Sequence, residues 1–267
     1  MSLLTRVEAG LRAVSSSNRT VERAGGFMVA VAQGGGGAAG LAVAVPESPS
    51  PSLEDALVEV ERCFARRRAP ASIEYVEELH PGLAEAAHAR GWRTATVAPV
   101  MVLDTPAALG RPIATRADVR ALHADDEGAL RRYLTGQHAA YGGHGEPLAW
   151  LPLLRAGLAA GSVHAMALEV AAGIVAGASL QLGAGVGELA GVWTDPRMRR
   201  RGYAQAVCAA LLADAFGRGL ELAWLSAAPG ATGLYERLGF ERVGTQRTLD
   251  GPPGPADAGS GRDIVGP

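Results

Sequence analysis

The sequence predicts an α/β protein built in two related halves. Three observations carry this expectation. First, segments with apolar residues at helical spacing alternate with short β-branched runs along most of the chain. Second, "HPGLAEAAHARGW" (80–92) and "APGATGLYERLGF" (228–240) share Pro-Gly, a helix and Gly-aromatic at a constant offset of 148. Each is preceded by a strand and, before that, by a helix with an apolar stripe. Third, 267 residues with 48% hydrophobic content are enough for two cores. Pro-Gly and Gly-aromatic are common turn chemistry, so coincidence is the alternative; the shared order of elements favours duplication.

The elements follow in order. "AVPESPSPSLEDA" is loop-like, and Leu53, Leu57, Val60 and Phe64 then mark a helix. "ASIEYV" reads as a strand, "PGLAEAAHARGW" as a helix closed by Gly91, and "TATVAPVMVL" as a strand. Residues 104–117, with Pro106, Gly110 and Pro112, form a linker. A short strand at 119–122 precedes an acid-capped helix from Asp126 to Leu134, a Gly-rich loop to Pro147 and a helix near 148–158. The strands "HAMALEV", "GIVAGASLQL" and "GELAGVWT" lead into a long helix over 203–216, with Val207, Cys208, Leu211, Leu212 and Ala215 on one apolar stripe. The strand "ELAWLSA", the helix "ATGLYERLG" and a strand near 241–248 complete the pattern. The last 17 residues contain nine Gly or Pro, which predicts disorder. The expected division is thus 1–110, 111–250 and a tail at 251–267.

Charge and cysteine usage narrow the function. A net charge of −2 gives no global field for recruiting polyanions, which argues against a nucleic-acid binder. All 25 basic residues are arginine. Cys63 and Cys208 stand far apart without metal spacing, and buried free thiols in a reducing cytoplasm are the favoured reading over a disulfide. "MSLLTRVEAGLRAV" lacks the long apolar core of a signal peptide, and no run reaches membrane-spanning length. "GGGG" at 34–37 has no Lys-Ser/Thr after it and opens no helix, so it predicts a hairpin turn and not a phosphate loop.

"DPRMRRRGYAQAV" (195–207) is the most informative stretch. As a charge run alone it would be a solvated loop. It lies, however, between an apolar strand ending at Trp193-Thr194 and an amphipathic helix starting near Gly202. A glycine admits close backbone approach, the helix start offers unpaired amides and a positive dipole end, and arginines add charge-assisted donors. That combination suits a pyrophosphate.

Strand, turn, R-x-x-G-x-A and helix, here Arg199, Gly202 and Ala204 with Pro196 ahead, resemble the signature of the GNAT N-acetyltransferases. "LYERLGF" (234–240) resembles the superfamily's helix–Gly–aromatic element. The resemblance covers 113–248 well; residues 1–103 resemble a degenerate copy of the same fold, as in tandem GNAT proteins. It implies a mixed, largely antiparallel twisted sheet flanked by helices, duplicated here. It also implies acetyl-CoA as co-substrate, no metal, and an amine acceptor. The strand end Val192-Trp193-Thr194 would hold the pantetheine arm through its backbone. Amides of Arg199, Arg200, Arg201, Gly202, Tyr203 and Ala204 would hold the pyrophosphate. Arg197 and Arg200 either reach the 3′-phosphate or stay solvated.

For the chemistry, the resemblance makes Tyr235 the acid for the leaving thiolate and Glu188 the base, directly or through water. Tyr235 read alone is equally a packed aromatic, and Glu188 an exposed residue at a strand start. The family often has asparagine seven residues before the tyrosine; here the position is Ala228. The acceptor pocket is expected in "TGQHAAYGGHGEP", where Tyr141, His144, Glu146 and nearby Trp150 offer aromatic and ionic handles. His138 and His144 lack the companions of a metal site and read as solvated loop residues. In the first half, Pro51–Ala56 match Arg199–Ala204, and Ala87 matches Tyr235. It therefore lacks the loop and the tyrosine, and reads as a scaffold or a lid. The whole predicts a cytoplasmic enzyme acetylating a small-molecule amine, with no nucleic-acid or membrane partner and with a homodimer compatible. Rival readings are a peptide or protein N-acetyltransferase and a non-catalytic acyl-CoA-binding module.

Overall fold

The structure, a computed structural model, describes residues 1–32, 42–106, 109, 118–143 and 145–252. The tetraglycine, most of the expected linker, His144 and the tail from 253 onward lie outside the described residues. The chain begins α1 (Leu3–Ser16), β1 (Arg19–Ala24), β2 (Phe27–Ala32), β3 (Ala42–Pro46), α2 (Leu53–Arg67), β4 (Ser72–Val76), α3 (Leu83–Ala89) and β5 (Arg93–Leu103). It continues β6 (Asp118–Ala121), α4 (Glu127–Ala140), α5 (Leu151–Ala160), β7 (Val163–Val170), β8 (Gly173–Gly183) and β9 (Val186–Thr194). The last elements are α6 (Tyr203–Gly217), β10 (Leu222–Ser226), α7 (Thr232–Arg237) and β11 (Glu241–Asp250). Among the described residues two compact units result, one of 1–100 with 243–252 and one of 101–242. Among the described residues no helix is long and apolar enough to cross a membrane.

In the first unit β1–β2 and β2–β3 pair antiparallel, β3–β4 parallel, and β4–β11 antiparallel. The last strand of the chain is thus part of the first unit. Ser52 caps α2, its side chain accepting from the Asp55 N–H, and Glu54 and Asp55 stand in the first turn where the dipole favours them. The apolar spacing read from the sequence buries Leu57, Val60 and Phe64 against Ile73, Tyr75 and Trp92. Leu249 of β11 is fully buried in that core, paired with Ile73.

In the second unit β9 pairs parallel with β10 and antiparallel with β8, and β7 pairs antiparallel with β8 and β6. Successive residues of a strand face opposite sides. Leu168 of β7 and Ala176, Ala178 and Leu180 of β8 join α6 in one core. Ala165 and Ala167 of β7 join Tyr133 of α4 and Trp193 of β9 in another. The sheet is therefore covered by α6 on one face and by α4 with α5 on the other. Cys63 and Cys208 are both buried free thiols.

Two glycine pairs at the repeat offset adopt the same left-handed backbone. Gly82 and Gly230 have φ of 82° and 79°, and Gly91 and Gly239 have 83° and 93°. The shared turns are a conformational match as well as a match of letters.

One element departs from expectation. The helix predicted to stop near Leu134 continues to Ala140, through Thr135 and Gly136. Gly136 is a contact glycine: a Cβ there would lie 2.4 Å from the Trp193 ring. Gly177 on β8 plays the same part, where a Cβ would meet the Tyr133 ring at 2.3 Å and the Trp193 indole nitrogen at 2.6 Å. Two glycines thus let α4 lie close on the sheet. Alanine is the better helix former by about 1 kcal/mol, whereas overpacking costs about 1–3 kcal/mol. Gly136→Ala is expected to lower stability by about 1 kcal/mol or more, read from the urea midpoint at unchanged m; a stabilised variant would show that α4 is not held this closely.

Candidate active site

The site begins where two parallel strands stop pairing. β9 and β10 are in register at Val186–Leu222, Gly187–Ala223 and Glu188–Trp224, and no pair follows along Leu189–Thr194. On its other side β9 bulges. Gly177 pairs with Trp193 and Ser179 with Ala190, so Gly191 and Val192 of β9 together oppose the single residue Ala178. Gly191 takes φ +60°, as a bulge of this kind requires. Backbone polar groups need partners, and α4 supplies two. Gln137 Nε2 donates to the Gly191 carbonyl at 3.2 Å, and the Tyr141 hydroxyl donates to the Val192 carbonyl at 2.9 Å. The Trp193 side chain is buried beneath α4, so any contact with a ligand falls to the backbone of Val192–Thr194.

After β9 the chain curls through Asp195–Gly202. Asp195 holds Arg197 with three hydrogen bonds, two to the guanidinium and one to the backbone N–H. These bonds hold its carboxyl down to about 2. Of the two alternatives for Arg197, the structure favours an exposed guanidinium already engaged by Asp195. Arg200 and Gly202 both take left-handed φ, at 62° and 77°. Left-handed residues at a turn of this kind are one ingredient of backbone concavities that take anions. Gly202 is the N-cap of α6 and brings no capping side chain, and the first turn of α6 contains no acid. The helix start is left with unpaired donors and its positive dipole end. Arg199, Arg200 and Arg201 are exposed around it. Arg199 is tethered, its Nη2 donating to the Ala140 carbonyl at 3.2 Å. Tyr203 and Ala204 are half-buried at the helix start.

Tyr235 lies on α7, 8% exposed, edge-on to Phe240 at 6.1 Å. Burial raises its hydroxyl above the usual range, with the neighbouring Cys208 and Tyr141 adding to the effect. Burial likewise pushes Tyr141 and Cys208 up to about 12. All three stay protonated at neutral pH. Glu188 is half-buried, opposite Gln181 of β8. By that register it shares the α4 face of the sheet with Ser179 and Gly177. Ala228 is exposed and presents no polar side chain.

A cavity of about 150 Å³ opens at the end of α4, lined by Leu134, Gln137, His138, Tyr141, Glu146 and Trp150 among others. Three of the four acceptor residues expected from the sequence meet there; the fourth, His144, lies outside the described residues. Tyr141 links this cavity to the bulged strand. The bulge, the Gln137 bond and the Arg199 tether were not read from sequence. Gly191 was the available signal for the bulge, inside a strand that also contains Gly187. The others rest on contacts between residues 54 and 59 positions apart.

The corresponding place in the first unit is closed. β3 and β4 pair at Ala44–Ile73 alone. Glu8 and Arg12 of α1 lace their ends together. Arg12 donates to the Pro46 carbonyl at 2.8 Å and to Glu8 at 3.1 Å. Glu8 accepts from the Val76 N–H at 3.4 Å and bonds His80 Nε2 at 2.8 Å. The α2 start is already capped by Ser52, in extended backbone.

Residues 124–240 match the profile of the acetyltransferase (GNAT) family. Among solved structures, a GCN5-related N-acetyltransferase from Kribbella flavida is 25% identical, with 95% of this chain and 97% of that chain covered and a TM-score of 0.75. A GCN5-related N-acetyltransferase from Sphaerobacter thermophilus shares the fold at 15% identity, covering 78% and 72%, with a TM-score of 0.59. A tandem GNAT protein from the clavulanic acid biosynthesis pathway does so at 15% identity, covering 85% and 79%, with a TM-score of 0.57. No curated protein matches the sequence.

If this loop receives an anion, Gly202, at the uncapped helix start, is its most sensitive single position. Any side chain there meets the left-handed backbone at a cost of about 1–2 kcal/mol, but only a carboxylate also opposes phosphate. Gly202→Glu is expected to lose acetyl-CoA binding in calorimetry while Gly202→Ala keeps part of it. Equal affinities in two folded variants would remove the cradle from this loop.

Proposed function

We propose that this chain, whose residues 124–240 form a domain of the GNAT acetyltransferase family, moves the acetyl group of acetyl-CoA to the primary amine of a small molecule. The observation that carries the reading is the juxtaposition of three things in one unit: strands that part after Glu188, a helix start left uncapped at Gly202, and a buried protonated tyrosine. On this reading the backbone of Val192–Thr194 receives the pantetheine arm, and the turn from Arg199 to Ala204 receives the pyrophosphate. The 1–110 half is a scaffold without a cofactor site of its own, and the working domain is 111–250. The enzyme is read as cytoplasmic.

Direct transfer in a ternary complex needs positioning and two proton movements. The amine nitrogen bonds to the thioester carbonyl carbon as the carbon–sulfur bond breaks. Glu188, on the α4 face of β9, takes the proton that the nitrogen sheds, directly or through water. Tyr235 supplies the proton that the sulfur needs. The products are an amide and a thiol, and the two side chains exchange their protons with solvent before the next cycle. A hydroxyl raised by burial keeps its proton well into alkaline solution, so the Tyr235 step should not be lost on raising the pH from 7 to 10.

Tyr235→Phe separates this role from packing. General acid catalysis contributes on the order of a hundredfold, or roughly 3 kcal/mol. The variant is expected to lose about that much turnover at saturating acetyl-CoA, with cofactor affinity and melting temperature nearly unchanged. Activity within a few-fold of the parent would make Tyr235 a core residue and leave the thiolate to depart unassisted.

A further inference from the structure

We infer that Gln137 and Tyr141 are positioning residues that hold the split beyond Glu188–Trp224 open for the pantetheine arm of acetyl-CoA. The inference rests on the acetyl-transfer reading and names what keeps its cofactor strand ready. Two observations lead to it, one in each unit.

In the second unit the two side chains take adjacent carbonyls of the bulge, Gly191 at 3.2 Å and Val192 at 2.9 Å. They stand four residues apart on α4 and so act from one face of that helix. Strands pair through groups that lie in the plane of the sheet. Donors on a helix covering one face draw these two carbonyls towards that face and away from β10. Side chains fix the same backbone from both sides. Val192 packs against the core that contains Tyr235 and Cys208, and Trp193 lies in the core beneath α4 with Tyr133. A Cβ at Gly191 would come within 2.6 Å of Gln137 Nε2, so the close approach of helix and bulge depends on that glycine. Burial pushes the Tyr141 hydroxyl up to about 12, and it keeps the proton it donates throughout the neutral range.

The first unit uses polar side chains in the opposite way. There Arg12 donates to Pro46 at the end of β3, Glu8 accepts from Val76 at the end of β4, and the two side chains are bonded to each other. A linked pair that bonds both strands draws their ends together. Gln137 and Tyr141 both bond β9 and pull it in one direction. Without them the Gly191 and Val192 carbonyls are free to turn towards β10. A split that is open for only part of the time binds its ligand more weakly by that fraction.

The experiment uses the full chain and needs no acceptor. Calorimetry gives the Kd of acetyl-CoA, and competition gives that of 3′-phosphoadenosine 5′-diphosphate, the same nucleotide without its pantetheine arm. Both are measured on the parent, on Tyr141→Phe and on Gln137→Leu, with melting temperatures alongside. In each variant the acetyl-CoA Kd is expected to rise by about three- to tenfold, the range of one net hydrogen bond, while the nucleotide Kd stays within about twofold. A fold-wide defect would weaken both ligands alike. That result would overturn the inference and leave the transferase reading intact. So would an acetyl-CoA Kd left unchanged or lowered, a nucleotide that fails to compete in the parent, or loss of folding in both variants. Failure of the parent protein to bind acetyl-CoA at all would instead overturn the transferase reading beneath it.

Discussion

Parallel strands that separate leave backbone donors and acceptors without neighbours, and such groups cannot stay unpaired in a protein interior. Most of what is particular to this chain follows from how that requirement is met in each half. In the second unit, after β9 parts from β10 at Glu188–Trp224, side chains meet the β9 carbonyls: Ser179 on Ala190, Gln137 on Gly191, Tyr141 on Val192 and Arg199 on Thr194. In the first unit the equivalent parting of β3 from β4 is closed by Glu8, Arg12 and His80. One fold therefore contains a split that the chain leaves partly open and a split that it fills itself.

The closure in the first unit also explains why divergence there is tolerated. A buried carboxylate such as Glu8, with 7% of its side chain exposed, is acceptable because it is bonded on both oxygens. Once it holds the strand ends, the α2 start no longer needs to receive an anion. It can carry a serine cap and two acids, which stabilise a helix N-terminus and repel phosphate. The features that would obstruct a cofactor in the second unit stabilise the first.

Much of this was legible in the sequence, because helix spacing, strand composition and turn glycines are local properties. The α2 stripe from Leu53 to Phe64, the turn at Gly91 and the glycine opening α6 all appear in the fold as expected. Gly136 was misread for a physical reason: a glycine that ends a helix and a glycine that lets a helix touch a tryptophan look alike until the tryptophan is in place. The elements before residue 42 gave no periodic signal as strong as α2. The clasp of Glu8 on His80, 72 residues apart, could not be read from spacing at all. The same is true of the Arg199 tether. Local chemistry marked the arginine–glycine loop as a candidate for phosphate; the packing that holds it in position is long-range.

The placing of β11 has a consequence for biosynthesis. Its pairing with β4 and the burial of Leu249 beside Ile73 mean that the first unit includes the last structured segment of the chain. During synthesis, domains usually fold from the N-terminus as units while the ribosome is still at work. Here β1 to β4 emerge early yet have an open sheet edge at β4 until some 165 further residues have been made. The half made first is finished last. Such an edge must wait, exposed or chaperoned, and a nascent chain cut short before β11 should be an aggregation hazard even with residues 101–240 of the second unit complete.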